Sequence, residues 1–94
     1  MYIDDLIWLP DIVEKLLWKH HVTQEEVEEV LDNKPQFRFV EKGFRTGEDV
    51  YAALSQTDSG RYLIVLFINK PNHLALIVSA RDMDAKERRH YEHR

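Results

Sequence analysis

The first third of the chain repeats its apolar residues at a helical period. Ile12, Val13, Leu16 and Leu17 form one stripe, which predicts a helix over residues 11–20. Pro10 suits a first helical turn, and Asp11-x-x-Glu14 has the spacing of a capping box. Val22 and Thr23 interrupt the pattern. Thr23-x-x-Glu26 then offers a second capping box, with Thr23 as N-cap. Val27, Val30 and Leu31 supply the buried face of a helix that ends near Asn33 and Pro35. Residues 3–8, ahead of the first helix, leave open a short strand.

From residue 36 the period changes to two. Residues 36–40 (QFRFV) alternate and predict a strand, and a loop with two glycines follows. Residues 48–57, 61–68 and 73–80 predict three more strands, separated by the turns Asp58-Ser59-Gly60 and Asn69-Lys70-Pro71-Asn72. Asp84-x-x-Glu87 has a third capping-box spacing and starts a helix that runs to about residue 93. Connections this short make the sheet antiparallel. The expected fold is α+β: an antiparallel four-stranded sheet, with the optional short N-terminal strand, two N-terminal helices and one C-terminal helix. Strand 61–68 is apolar on both alternating faces, with Leu63, Val65 and Phe67 on one and Tyr62, Ile64, Leu66 and Ile68 on the other. A sheet covered on one side exposes a polar second face. Either helices cover both faces here, or the second face meets a partner.

Composition narrows the class. A chain of 94 residues with 44% hydrophobic content reads as one globular domain over residues 1–94. The absence of cysteine rules out disulfides, thiolate metal sites and thiol nucleophiles, and fits a reducing compartment. Two aspartates stand where a signal peptide needs basic residues, and no apolar run reaches the ~20 residues of a membrane span. A soluble, cytoplasmic protein with no membrane partner is expected. The net charge of −4 is unevenly spread. Residues 1–34 carry nine acids against three lysines, whereas residues 35–94 carry eight acids and ten lysines and arginines. A local basic surface in the later part is therefore compatible with an acidic whole.

Candidate chemistry lies at the element ends. Arg61 begins one strand and Arg81 follows the last, so antiparallel pairing brings both near one end of the sheet. Two guanidiniums there would match phosphate oxygens bidentately, although arginines at strand ends also serve solubility alone. Arg45 lies in the glycine loop. Glu48 is either a general base or an ordinary strand-edge acid. His20 and His21 end the first helix, where imidazoles also suit the helix C-terminal dipole. His90 and His93 share a spacing that can hold a metal, but no third ligand is evident, so no metal site is expected. The chain contains no Gly-rich phosphate loop, serine elbow or HExxH.

Taken in order, KHHVTQEEVEEVLDN, GEDVYAALSQTDSGRYLIVLF and LIVSARDMDAKERRHYE resemble the BrnT family of bacterial type II toxins, ribonucleases with a RelE-like fold. The likeness covers roughly residues 8–92. Its most specific parts are Lys19-His20, Thr57 with Gly60-Arg61, Ser79-Ala80-Arg81, and Glu87-Arg88 with Tyr91. The resemblance implies metal-independent RNA cleavage without a cofactor, in which the 2′-hydroxyl attacks the neighbouring phosphate. Arg61 and Arg81 would then stabilise transition-state charge. Lys19, His20 or Glu48 would act as base or acid, and Tyr91 would donate or position. Arg45 and Arg88 would bind RNA. The resemblance further implies inhibition of translation, an antitoxin of ribbon-helix-helix type encoded alongside, and a homodimer or a toxin–antitoxin heterotetramer.

Two positions depart from the family pattern. Val50 stands where relatives commonly carry an arginine before the strand tyrosine, here Tyr51, and His21 stands where they carry glycine. With the acidic net charge, these departures support a second reading. In it the chain is a catalytically weakened toxin-like protein that binds an antitoxin-like partner or regulates its operon.

Overall fold

The computed structural model describes residues 1–93. Its strands are β1 (Asp5–Ile7), β2 (Gln36–Glu41), β3 (Val50–Gln56), β4 (Tyr62–Lys70) and β5 (Leu74–Asp82). Its helices are α1 (Pro10–His20), α2 (Gln24–Asp32) and α3 (Ala85–Glu92). The strands form one sheet in the order β1-β5-β4-β3-β2. The α+β class and the three helices match expectation. The expected four-stranded antiparallel sheet does not: the sheet has five strands and is mixed, because β1 pairs with β5 in parallel, from Asp5 opposite Leu74 to Ile7 opposite Leu76. Short turns reveal only the hairpins between successive strands, and β1 reaches β5 across most of the chain.

The helix starts differ in how they are built. Thr23 and Asp84 form the expected capping boxes, each side chain accepting from the third helical N–H while the glutamate there returns the bond to the cap backbone. At α1 the box Asp11-x-x-Glu14 does not form. Pro10 opens that helix after Leu9, which has no capping side chain. Its far end turns sharply at His21, which adopts a left-handed conformation (φ 55°). That turn sends Val22 back into the core, where its N–H meets the Leu16 carbonyl at 3.1 Å.

Helices α1 and α2 cover one face of the sheet, and the main core lies beneath them. Leu63, Val65 and Phe67 of β4 meet Ala53, Ala75, Ile77 and Ala80 there, together with Leu16, Val22, Val27 and Val30. On the second face α3 lays Tyr91 over Ala52, Leu54 and Ile64. That cover reaches only one end: Val50, Leu66, Ile68 and Leu76 stay half-buried. The two-sided apolar pattern of β4 therefore has a helical explanation along part of its length.

Val78 is the extra residue of a β-bulge. Leu66 pairs with Ser79 but the next residue, Phe67, pairs with Ile77. Plain alternation from Ile77 would put Ser79 and Arg81 under the helices. The bulge turns both to the second face and leaves Asp82, opposite Leu63, on the helix-covered one.

Candidate functional site

Arg61 gathers the greatest number of polar contacts. It directly precedes β4, and its side chain turns toward the helices. Its Nε and Nη2 donate to Asp82 at 2.8 and 3.2 Å. Nη1 donates to the His21 carbonyl at 2.7 Å and to Glu26 at 3.2 Å, and Nη2 donates to the His20 carbonyl at 3.0 Å. Arg61 thus clamps the last carbonyls of α1, the first turn of α2 and the end of β5. Unpaired carbonyls at a helix end carry partial negative charge, which suits a guanidinium. The hydrogen bonds from Arg61 hold the Asp82 carboxyl below the ordinary carboxylate range, and His20 adds to this through its charge.

His20 and Lys19 occupy the last turn of α1, directly above this clamp. His20 is half-buried and Lys19 is exposed. Beside the clamp lies a shallow cavity of about 360 Å³, lined by Gly60, Arg61, Tyr62, Asp82, Met83 and Arg88. Arg88, on α3, lies over the Tyr62 ring at 3.9 Å from its centroid, a cation–π contact, and its Nε approaches Glu92 at 3.6 Å.

Arg81 stands at the same end of the sheet as Arg61 but on the opposite face, opposite Ile64. It makes a two-pronged pair with Glu87, at 2.7 and 2.9 Å. Those bonds hold the Glu87 carboxyl below its usual range, ahead of a backbone bond at Asp84 and the more distant charge of Arg38. Tyr91, on the sheet-facing side of α3, is buried and meets Tyr62 edge to face.

Glu48 and Arg45 belong to the other end. Glu48 pairs with Lys70 at 2.8 Å, and its N–H donates to the Arg45 carbonyl. Val50 lies opposite Ile68 there, while Gln56 lies opposite Tyr62 at the Arg61 end. Six residues at ~3.3 Å each separate the two ends by about 20 Å. The structure thus brings Arg61 and Arg88 to one rim, ties the His20 end of α1 to it through Arg61, and sets Arg81 behind that rim; Lys19 is the exposed neighbour of His20 on α1. Glu48 and Arg45 stand apart from them.

Asp82 and Tyr62 also line this rim, and neither was singled out from the sequence. Asp82 fell beyond the expected strand end at residue 80, and Tyr62 read as one apolar position among several. Glu26 was legible as a capping residue, and Glu87 as a capping residue and part of the family pattern, although each also accepts from an arginine. Among the described residues no three His, Asp or Glu side chains are grouped to hold a metal ion, and no helix is long and apolar enough to cross a membrane.

Comparison with curated proteins finds no match. The family model for the ribonuclease toxin BrnT of type II toxin–antitoxin systems matches residues 8–87. The chain belongs to this family of ribonuclease toxins, whose membership implies an RNA target and an antitoxin protein partner.

Proposed function

We propose that the protein is a metal-independent endoribonuclease of RelE-like type that inhibits translation by cutting RNA at the Arg61 end of its sheet. The observation that carries this reading is the cavity lined by Arg61, Asp82 and Arg88, with the end of α1 at His20 bonded to Arg61 beside it, in a chain of a ribonuclease toxin family. An imidazole suits proton transfer near neutral pH. His20 takes the proton of the 2′-hydroxyl, and that oxygen attacks the adjacent phosphorus. The leaving 5′-oxygen takes a proton from solvent water, and a 2′,3′-cyclic phosphate remains. Lys19 and Arg88 supply positive charge to the phosphate as it becomes a phosphorane.

Arg61 serves this site as a positioning residue. Its N–H groups already meet protein acceptors, and they hold the His20 and His21 carbonyls in place. Arg81 supports α3, and so Arg88, through Glu87. Tyr91 anchors the same helix. Glu48 and Arg45 lie about 20 Å away along the strands, too far to share one phosphodiester with His20. The binding-module alternative draws on Val50, which sets an apolar side chain on the second face where relatives carry a cation. In either reading the partner is an antitoxin of ribbon-helix-helix type. The assembly is a homodimer or a toxin–antitoxin heterotetramer.

The test is cleavage of a mixed RNA by purified protein in EDTA. His20→Ala should lower the rate by ~10²–10⁴-fold, the usual worth of a general acid or base. Glu48→Gln should leave the rate within about twofold. Strong loss in Glu48→Gln with full activity in His20→Ala would move the site to the other end of the sheet. No cleavage by the folded wild-type protein, with no growth arrest on expression, would favour the binding module.

A further inference from the structure

A larger cavity, of about 700 Å³, opens on the helix-covered side, between the N-terminal segment and α2. Its floor is Ile3, Leu6, Trp8, Leu31 and Phe37. All five are half-buried side chains packed against the main core, so the core is left unroofed here. Its rim is acidic. Asp4, Asp5, Glu28 and Asp32 are all exposed along it, against the single lysine Lys34. The two N-terminal aspartates and the two acids on α2, Glu28 and Asp32, line one groove, which gathers acid from two separate parts of the chain.

An apolar floor with an acidic rim repels a phosphate backbone and attracts cations that carry apolar side chains between them. RNA is therefore the wrong occupant. We infer that this groove seats a basic amphipathic segment of the antitoxin, with its apolar side chains on Trp8, Leu31 and Phe37 and its lysines or arginines against Asp4, Asp5, Glu28 and Asp32. That the partner is an antitoxin rests on the reading above; the chemistry of the segment rests on the groove. Helix-in-groove docking of this kind uses apolar anchors one turn apart, and the rim charges select the sign of the partner. The groove and the proposed RNA rim use different residues, so partner and substrate contacts are separable.

The probe is a synthetic peptide of about 14 residues, some 21 Å long when helical, with leucine on one face and lysine on the other. Trp8 is the reporter, in full-length protein carrying Trp18→Phe. That second tryptophan is 71% exposed and lies outside the groove. The Lys/Leu peptide should shift Trp8 emission saturably. It should bind at least ~10-fold more tightly than a Glu/Leu peptide, or than a Lys/Ser peptide of equal charge. The double variant Asp4→Asn/Asp32→Asn, which alters no core side chain, should weaken it by about tenfold, since each exposed pair contributes modestly, while cleaving RNA at the wild-type rate. Equal binding of the Lys/Ser peptide, no effect of the double variant, or no binding would each overturn the proposal. The co-encoded antitoxin should displace the peptide. An antitoxin that silences RNA cleavage yet leaves the peptide bound would overturn this groove as its seat. One that neither binds nor silences would overturn the partner reading instead.

Discussion

Arg61 and Arg81 are two versions of one device placed on opposite faces of the sheet. In each, a strand-end arginine meets the glutamate of a helix capping box, Glu26 for Arg61 and Glu87 for Arg81. The glutamate thereby fixes the helix start and the strand end together. The difference lies in reach. Arg81 contacts Glu87 and the Asp82 carbonyl, six residues and one residue away. Arg61 reaches 21 residues to Asp82, 35 back to Glu26 and 40 back to His21. The local version orders a corner. The long-range version ties α1, α2 and β5 into one unit, and the unfolded chain offers no substitute for those contacts.

Removing Arg61 should therefore have the largest effect. Its side chain is only 26% exposed, and its loss strands Glu26 and two helix-end carbonyls. Arg61→Ala is expected to cost about 3 kcal/mol in urea unfolding, since hydrogen bonds to charged groups contribute ~1.5–3 kcal/mol each and act here as a network. Arg61→Lys should recover little, because one ammonium cannot span four acceptor groups in a fixed fork. Arg81→Ala should cost about 1 kcal/mol, since the pair it breaks is local and its side chain is 42% exposed. Equal losses in the two variants would mean that contact range is not what separates them.

Acid titration sharpens the same comparison with a smaller effect. Glu87 and Asp82 are both held below the ordinary carboxylate range, chiefly by hydrogen bonds from Arg81 and Arg61. A carboxyl depressed in the folded state adds stability that is present above its unfolded pKa. That stability is lost as pH falls through the lower folded value. Stability should thus decline from about pH 4 downward. Glu87, whose side chain is 17% exposed, should account for more of the decline than Asp82 at 64%. Urea midpoints at pH 7 and at about pH 3 should converge more in Glu87→Gln than in Asp82→Asn. The reverse order would assign the acid-sensitive contact to the Arg61 cluster.

The helices, the hairpins and two of the three capping boxes were legible because each depends on residues a few positions apart. β1 was legible as a strand but not as a parallel neighbour of β5, since nothing local encodes that pairing. The placement of the candidate residues was legible only in part. Arg61 and Arg81 do share a sheet end, as antiparallel pairing requires. The bulge at Val78 then turns Arg81 to the other face, and period-two alternation carries no mark of an inserted residue. Glu48 stands apart from Arg61 for a simpler reason. Strand direction sets which end a flanking residue occupies, and Glu48 precedes β3 at the end far from Arg61.

His21 gives the smallest effect and the most direct view of the Arg61 clamp. Its left-handed conformation (φ 55°) costs a side chain with a Cβ about 1 kcal/mol, a cost that glycine does not bear. His21→Gly removes that strain but frees the unfolded chain, so a net gain of about 0.5 kcal/mol is expected. The gain should depend on the clamp. While Arg61 grips the His21 carbonyl, the corner stays in its strained geometry and glycine gives full relief. In an Arg61→Ala background the corner can relax, and the gain should shrink. In an Arg81→Ala background it should persist, because Arg81 makes no contact with that corner. A double-mutant cycle reads the coupling directly. An unchanged gain in the Arg61→Ala background would mean that the fold of α1 onto α2, rather than the arginine, holds His21 in place.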